Sequence, residues 1–156
     1  MNSNDLFAAA PDLMKKWSTA GLAINAALEP KLTHLVKIRA SQINGCANCI
    51  NMHAAQARAE GETEQRIYLL SAWREAPCYS ARERAALAWT EALTRLSDGP
   101  LDPRERESLN AHFNREEQVK LTLLINIING WNRIAVGFGL FMDPAEARSA
   151  ARAAAA

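Results

Sequence analysis

Apolar side chains recur at intervals of three and four residues along most of the chain. This spacing places them on one face of an α-helix, and no run of alternating Val, Ile or Thr residues indicates a β-strand. The pattern predicts helices near residues 11–27, 31–43, 46–60, 63–76, 81–96, 103–111, 115–137 and 144–152. We therefore expect an all-α fold, a bundle of seven or eight helices.

The starts of several predicted helices carry capping residues. A side-chain oxygen at a helix start accepts from unpaired N–H groups, and an acidic residue three positions later adds a favourable charge. Four such starts occur: Ser80 with Glu83, Asp102 with Pro103 and Glu105, Asn114 with Glu117, and Asp143 with Pro144 and Glu146. The breaks between helices are short. We therefore expect a single domain over residues 1–156, with its core at about 11–141 and a frayed tail at 150–156.

The predicted helix at 115–137 is apolar around most of its circumference. A helix of this kind is buried by its own domain or by another subunit. A narrow polar stripe interrupts it at Asn126, Asn129 and Asn132 or Arg133. Most buried polar groups have hydrogen-bond partners, so we interpret the stripe as a structural hydrogen-bond seam rather than a catalytic group.

Charge and composition narrow the functional classes. The 156 residues include 18 Lys and Arg against 17 Asp and Glu, and the net charge of +1 provides no long-range field for nucleic acid or an anionic membrane. The apolar run at 121–128 is far shorter than the roughly 20 residues of a membrane span. Residues 1–17 lack the basic start and long apolar stretch of a secretory signal. We expect a cytoplasmic protein that binds neither nucleic acid nor membrane.

The candidate chemistry lies in Cys46, Cys49 and His53, at positions i, i+3 and i+7 of one predicted helix. Residues at this spacing share a face, so we expect both sulfurs and the imidazole on one exposed ridge. Cys46 falls in the first turn after the Asn44-Gly45 break, where the positive end of the helix dipole stabilises a thiolate. The two cysteines are also close enough for a reversible disulfide, and His53 is placed to act as a base for Cys49.

His34 is a further candidate. If the helices at 31–43 and 46–60 run antiparallel about the Asn44-Gly45 turn, His34 lies opposite about residue 55, within one turn of His53. There it would pass protons to His53. Without the neighbouring cysteine motif, a surface or hydrogen-bonded core histidine would be the preferred interpretation.

Three segments resemble a known family. Leu35 to Cys49 (LVKIRASQINGCANC) followed by Met52-His53, then Glu83 to Trp89 (ERAALAW) and Asn129 to Arg133 (NGWNR) are similar to the alkyl hydroperoxidase D-like branch of the carboxymuconolactone decarboxylase family. The similarity covers about Pro11 to Phe141. The resemblance implies an all-helical fold, homo-oligomers that are trimers or hexamers, and an antioxidant thiol peroxidase activity with no metal or other cofactor.

The family pattern Glu-x11-Cys-x2-Cys-x3-His places its cysteines on Cys46 and Cys49 and its histidine on His53. Its glutamate position is occupied by His34, and Asn48 stands where the best-studied type has a histidine between the cysteines. The resemblance implies that Cys49 attacks the hydroperoxide and Cys46 resolves the sulfenic acid as a disulfide. The helix dipole alone favours Cys46 as the attacking sulfur, whereas the His53 spacing favours Cys49, on which we settle. A lipoyl- or thioredoxin-like dithiol then reopens the disulfide.

Three other functions compete with the peroxidase. Cys46, Cys49, His53 and His34 have the chemistry of a zinc site, although three ligands on one helix are unusual for zinc. A lyase acting on a lactone, as in the family's other branch, does not rely on a cysteine pair. A packing or assembly protein would carry inert, buried cysteines. Cys78, the third cysteine, lies after Pro77 in a predicted loop and is interpreted as a bystander.

Overall fold

The computed structural model describes residues 2–141 of the chain, and within that range it is all-helical, as the sequence predicts. Eight α-helices follow one another: α1 Ser3–Ala9, α2 Pro11–Asn25, α3 Pro30–Ile43, α4 Ala47–Ala59, α5 Glu64–Leu69, α6 Ala81–Thr94, α7 Pro103–His112 and α8 Arg115–Gly137. Short 3-10 turns cover Leu70–Ala72 and Leu96–Asp98. No helix in the described part is long and apolar enough to cross a bilayer.

The predicted helix starts are confirmed where the structure describes them. Ser80 and Asn114 form capping boxes, each accepting from the N–H of the glutamate three residues later while that glutamate accepts from the cap N–H. Asp102 caps α7 by accepting from the N–H of Arg104 at 2.9 Å. The predicted cap at Asp143 and the predicted helix at 144–152 lie outside the described residues.

The structure differs from the prediction in one additional helix and in one helix end. Helix α1 was not predicted, because its seven residues are too few to show a periodic pattern; it begins at a capping box between Asn2 and Asp5. The predicted helix at 63–76 ends as an α-helix at Leu69 and passes into a 3-10 turn. The guanidinium of Arg84 donates to the carbonyls of Trp73 and Arg74, both at 3.1 Å. These hydrogen bonds give partners to carbonyls in the non-helical part of the segment.

Helix α3 forms the centre of the bundle. All ten residues from Leu32 to Ser41 are buried, between α4 on one side and α6 and α8 on the others. Helix α8 is less enclosed than its composition suggests, because Val119, Leu123 and Val136 are exposed. The described chain therefore covers α8 on one side and leaves apolar positions open on the other.

The polar stripe of α8 is a hydrogen-bond seam, as predicted, but with different members. Asn126 is exposed and takes no part. The Nδ2 group of Asn44 donates to Oδ1 of Asn129 at 2.7 Å and to Oδ1 of Asn132 at 2.8 Å, and Asn132 donates to the hydroxyl of Ser41 at 3.0 Å. The seam thus ties the end of α3 to the middle of α8.

Candidate redox site

The turn between α3 and α4 sets the position of the cysteines. Gly45 has a φ of +65°, in the left-handed region that favours glycine, and the N–H of Cys46 donates back to the carbonyl of Ser41 at 3.0 Å. The seam holds the same turn from outside through Asn44. Because α3 is buried along its length, the turn is fixed against the core, and α4 starts from a defined point.

Cys46 is the N-cap residue of α4, one position before the first helical turn in which the sequence placed it. Its sulfur accepts from the N–H of Cys49 at 3.3 Å, the contact that a capping side chain makes. The Cα atoms of the two cysteines are 5.4 Å apart, and their sulfurs lie within bonding distance as a disulfide. The two cysteines therefore form the disulfide that their spacing allows.

The predicted exposed ridge is wrong. Cys46 is 1% and Cys49 2% exposed, and His53 is buried as well. The start of α4 packs against α8, where both cysteines contact a small apolar cluster that includes Ile128 and Ala135. Helical periodicity correctly predicted that the three side chains share one face. That face is buried inside the protein instead of exposed to solvent.

A cavity of about 330 Å³ gives the buried site its space. Cys49 lines it together with His53, and Cys46 does not. Most of the wall is apolar and comes from α1, α4 and α8: Leu6, Phe7, Met52, Ile127, Ile128 and Trp131. Phe7 is 41% and Met52 44% exposed, so the cavity reaches the surface beside them. A small molecule entering here would contact Cys49, whereas Cys46 lies outside the lining.

His53 is held as a neutral base. Its Nδ1 lies 2.9 Å from the Oε1 atom of Gln56, which accepts a hydrogen bond when Nδ1 carries the proton and so leaves Nε2 as the basic nitrogen. Burial, and secondarily the positive charge of Lys37, lowers the pKa of His53 to about 4, against the opposing effect of the Gln56 bond. At neutral pH the imidazole is therefore uncharged.

His34 is near His53 but bonded elsewhere. Its Nε2 lies 3.1 Å from the Oε2 atom of Glu60, at the far end of α4. His34 does not line the cavity, although a positive charge on it contributes to lowering the pKa of His53. The structure thus brings Cys46, Cys49 and His53 together and places His34 with a carboxylate beside them.

Lys37 and Gln56 are among the cavity residues that the sequence analysis did not identify. Gln56 gave no signal beyond its i+3 spacing from His53. Lys37 gave one, because the apolar residues Val36 and Ile38 flank it directly in the sequence. Buried lysines are rare unless they are paired, and the burial of Lys37 became visible only in the folded structure.

Nothing in the described residues supports the zinc interpretation. No group of three or more His, Cys, Asp or Glu side chains between residues 2 and 141 is arranged to hold a metal ion. Cys78, the bystander of the sequence analysis, is a free thiol of intermediate exposure.

The site can be compared with known proteins. The model of the carboxymuconolactone decarboxylase family matches residues 11–92. The uncharacterized protein YdfG of Bacillus subtilis is 48% identical over 105 residues, which cover 67% of this chain and 71% of YdfG.

Two solved structures share the fold. A protein of unknown function from Agrobacterium tumefaciens, whose name suggests an AhpD antioxidant defence protein, is 44% identical with a TM-score of 0.82 over 85% of this chain and 92% of that one. The debrominase Bmp8 has a TM-score of 0.80 over 89% of this chain and 75% of its own, at 20% identity. The second likeness concerns the fold alone.

Proposed function

The chain belongs to the carboxymuconolactone decarboxylase family, as an alkyl hydroperoxidase D-like member, and from this we propose that it is a thiol peroxidase that reduces hydroperoxides with Cys49 and Cys46. One observation carries the proposal. The sulfur of Cys49 is paired with Cys46, lines an accessible cavity and shares that cavity with the neutral base His53.

The reaction proceeds in three steps. His53 takes the proton of the Cys49 thiol, and the thiolate attacks the outer oxygen of the hydroperoxide, breaking the O–O bond. The sulfur becomes a sulfenic acid, and the leaving alkoxide takes the proton from His53 and departs as an alcohol. The Cys46 thiol then attacks the sulfenic sulfur, which forms the disulfide and releases water. An external dithiol reduces the disulfide by exchange and leaves oxidised.

The lining of the cavity supports an organic substrate. A wall of mostly aliphatic and aromatic side chains favours a hydroperoxide with an apolar substituent, because burying that substituent contributes binding energy. Hydrogen peroxide, which has no apolar part, gains nothing from this wall. We therefore expect a lower KM for an organic hydroperoxide such as cumene hydroperoxide than for hydrogen peroxide.

The buried disulfide restricts the reductant. With both cysteines almost fully buried, exchange has to occur through the cavity, on the sulfur of Cys49. A dithiol on a slender arm, of the lipoyl type, fits this approach better than a thioredoxin-like protein with a broad surface around its cysteines. Its first sulfur would bond to Cys49 and release Cys46.

His34 and Glu60 complete the proposed proton path. The family has a glutamate at the position of His34, and here a carboxylate reaches that position from α4 instead. We propose that the His34–Glu60 pair exchanges protons between His53 and solvent, since the side chain of Glu60 is half exposed. An imidazole that bridges two groups is suited to such transfer.

The exposed apolar positions support an oligomer. Leu13, Leu22, Val119, Leu123 and Val136 are each more than two-fifths exposed. Exposed apolar side chains in such number are typical of a surface that another subunit covers. We propose a homo-oligomer, a trimer or hexamer, in a cytoplasmic protein.

The decisive experiment is a thiol titration of the reduced protein before and after one equivalent of cumene hydroperoxide. The wild type is expected to lose two of its three thiols, while Cys46→Ser loses one and accumulates a dimedone-reactive sulfenic acid. Cys49→Ser is expected to lose none, and Cys78→Ser serves as the matched control that behaves as wild type. Retention of all three thiols in the wild type would refute the peroxidase.

The lyase alternative has its own test. Turnover of a carboxylated lactone by the Cys46→Ser, Cys49→Ser double variant would show that the sulfurs are irrelevant to the activity. We expect no such turnover.

A further inference from the structure

Lys37 is a buried cation with no carboxylate in ion-pair contact among residues 2–141. It is 6% exposed, at the centre of α3, and none of the ion pairs among residues 2–141 includes it. Burying an ammonium without an anionic partner is costly. An ionisable group buried in a cavity in this way is a candidate functional group.

The position of Lys37 indicates which group it can act on. Lys37 lines the same cavity as Cys49 and His53, and among the described residues of the lining it is the one Lys, Arg, Asp or Glu. The surrounding wall is mostly apolar, so charges inside the cavity are weakly screened. In the disulfide state the sulfurs are neutral, whereas reduction supplies Cys49 with an ionisable thiol.

His53 does not supply the positive charge. Burial and the charge of Lys37 lower the pKa of its imidazole to about 4, so at neutral pH it is uncharged. An uncharged base can remove the proton of Cys49, but it provides no positive charge to stabilise the thiolate while it remains uncharged. A different, positively charged group is needed for that electrostatic stabilisation.

The remaining charged groups around the cavity do not change this picture. Glu60, beyond the cavity on α4, is paired with His34 and half exposed. Burial lowers the pKa of Lys37, and the carboxylate of Glu60 opposes that shift and so favours the ammonium form. The lining side chains of α1 and α8 carry no charge.

We propose that Lys37 is a positioning residue of the peroxidase, whose buried ammonium stabilises the Cys49 thiolate after the disulfide is reduced. This assignment rests on the proposed function, in which Cys49 is the attacking sulfur. It explains why the ammonium has no carboxylate partner, because the thiolate is that partner in the reduced protein. It also accounts for the choice of sulfur, since Cys46 does not line the cavity that holds the charge.

The division of labour between the two groups follows. His53 takes the proton from the Cys49 thiol, and Lys37 keeps its own proton and holds the sulfur's negative charge. When the thiolate attacks the hydroperoxide, the negative charge moves to the leaving oxygen, which takes the proton from His53. Lys37 remains protonated throughout and is neither oxidised nor reduced.

The test measures ionisation of Cys49 without using peroxide. A Cys46→Ser, Cys78→Ser background leaves Cys49 as the one thiol of the chain, and serine is a good N-cap residue in place of Cys46. In this background Lys37→Met is compared with Lys37→Arg and with Lys31→Met, an exposed lysine at the start of the same helix. The thiolate is followed by its absorbance at 240 nm and by the rate of iodoacetamide alkylation between pH 4 and 10.

Lys37→Met is expected to raise the pKa of Cys49 by about one unit. At a pH below the pKa of Cys49 in both proteins, the variant should then contain about tenfold less thiolate than the background protein. Lys37→Arg should restore most of the thiolate, and Lys31→Met should match the background. Lys37→Gln, with circular dichroism on every variant, provides a second neutral substitution if Lys37→Met does not fold. Equal pH profiles for the folded neutral variant and Lys31→Met would overturn the proposal. If the wild type does not turn over peroxide, the proposed enzyme function is refuted. The effect of Lys37 on the ionisation of Cys49 is decided separately, by the pH profiles.

Discussion

Helix α3 carries two buried cations, Arg39 and Lys37, two residues apart in opposite surroundings. The guanidinium of Arg39 lies 2.6 Å from Oε1 of Glu91 and also donates to Gln42 at 3.0 Å. Lys37 faces the cavity with no carboxylate within ion-pair distance among the described residues. Both are buried to a similar degree, so burial does not distinguish them. They differ in whether a carboxylate forms an ion pair with the side chain.

The Arg39 side shows what a structural charge cluster looks like. Glu91 accepts from Trp73 at 2.8 Å, and Arg74 also donates to it. Burial raises the pKa of Glu91, but the hydrogen bonds from Trp73, Arg74 and Arg39 outweigh it and hold the pKa below its usual value. Every charge in this cluster has a partner in the resting protein. On the cavity side, the ammonium of Lys37 has no ion-pair partner in the oxidised protein. Under our proposal its partner is the Cys49 thiolate, which forms only when the disulfide is reduced.

The largest expected effect comes from breaking the paired cluster. Glu91→Gln leaves Arg39 buried without a counter-charge and should lower the free energy of unfolding by about 3–5 kcal/mol. Urea unfolding followed by circular dichroism measures this. Glu107→Gln, an exposed position on α7, should change it by less than about 0.5 kcal/mol. A Glu91→Gln protein as stable as the wild type would remove the contrast between the two regions.

The next effect is a pH dependence from the cavity side. The pKa of His53 in the folded protein is lowered to about 4 from 6.5, so between these values the unfolded chain binds a proton that the folded protein does not. Its contribution to stability is complete above about pH 6.5 and is lost as the pH falls towards 4, on the order of 3 kcal/mol in total. The urea concentration at the unfolding midpoint should decrease from pH 7 to pH 4.5, and this decrease should be larger for the wild type than for His53→Gln. Equal decreases would show that His53 is not buried as a neutral group.

A smaller effect of opposite sign is expected at Lys37. In the oxidised protein, Lys37→Met removes an unpaired buried charge and should raise the free energy of unfolding by about 1 kcal/mol. The gain should shrink in the reduced protein, where the Cys49 thiolate pairs with the ammonium. Urea unfolding in both redox states measures the two values, with Lys31→Met as control. Destabilisation of the oxidised protein by several kcal/mol would mean that Lys37 has a structural partner after all.

The smallest effect belongs to the His34–Glu60 pair. One member is half exposed, so Glu60→Gln should cost only about 0.5 kcal/mol, as for a solvent-screened ion pair. The same urea measurement resolves this, ideally at low and high salt, because screening should reduce the cost further. A loss as large as that of Glu91→Gln would place this pair among the structural charges.

The sequence was sufficient where interactions are local. The caps at Ser80, Asp102 and Asn114 depend on atoms within three residues of each other, and all three form as predicted. The same holds for the cysteine pair, since the i, i+3 spacing at a helix start brings Cys46 and Cys49 to bonding distance. In the segment at 63–76 the α-helix ends at Leu69, and beyond it a side chain from outside the segment, that of Arg84, donates to the carbonyls of Trp73 and Arg74.

By itself, then, the sequence determined that this protein is all-helical and that two cysteines and a histidine share one face at the start of α4, and it supplied the redox function that we propose. Only the tertiary structure decided that this face is buried, that α1 and α8 enclose a cavity over Cys49, and that Lys37 lines it unpaired while Arg39 is paired. The physical reason is the distance along the chain over which each interaction acts. Helix caps and helical spacing are set by neighbours within one or two turns, whereas burial, desolvation and ion pairing depend on elements that meet only when the chain has folded.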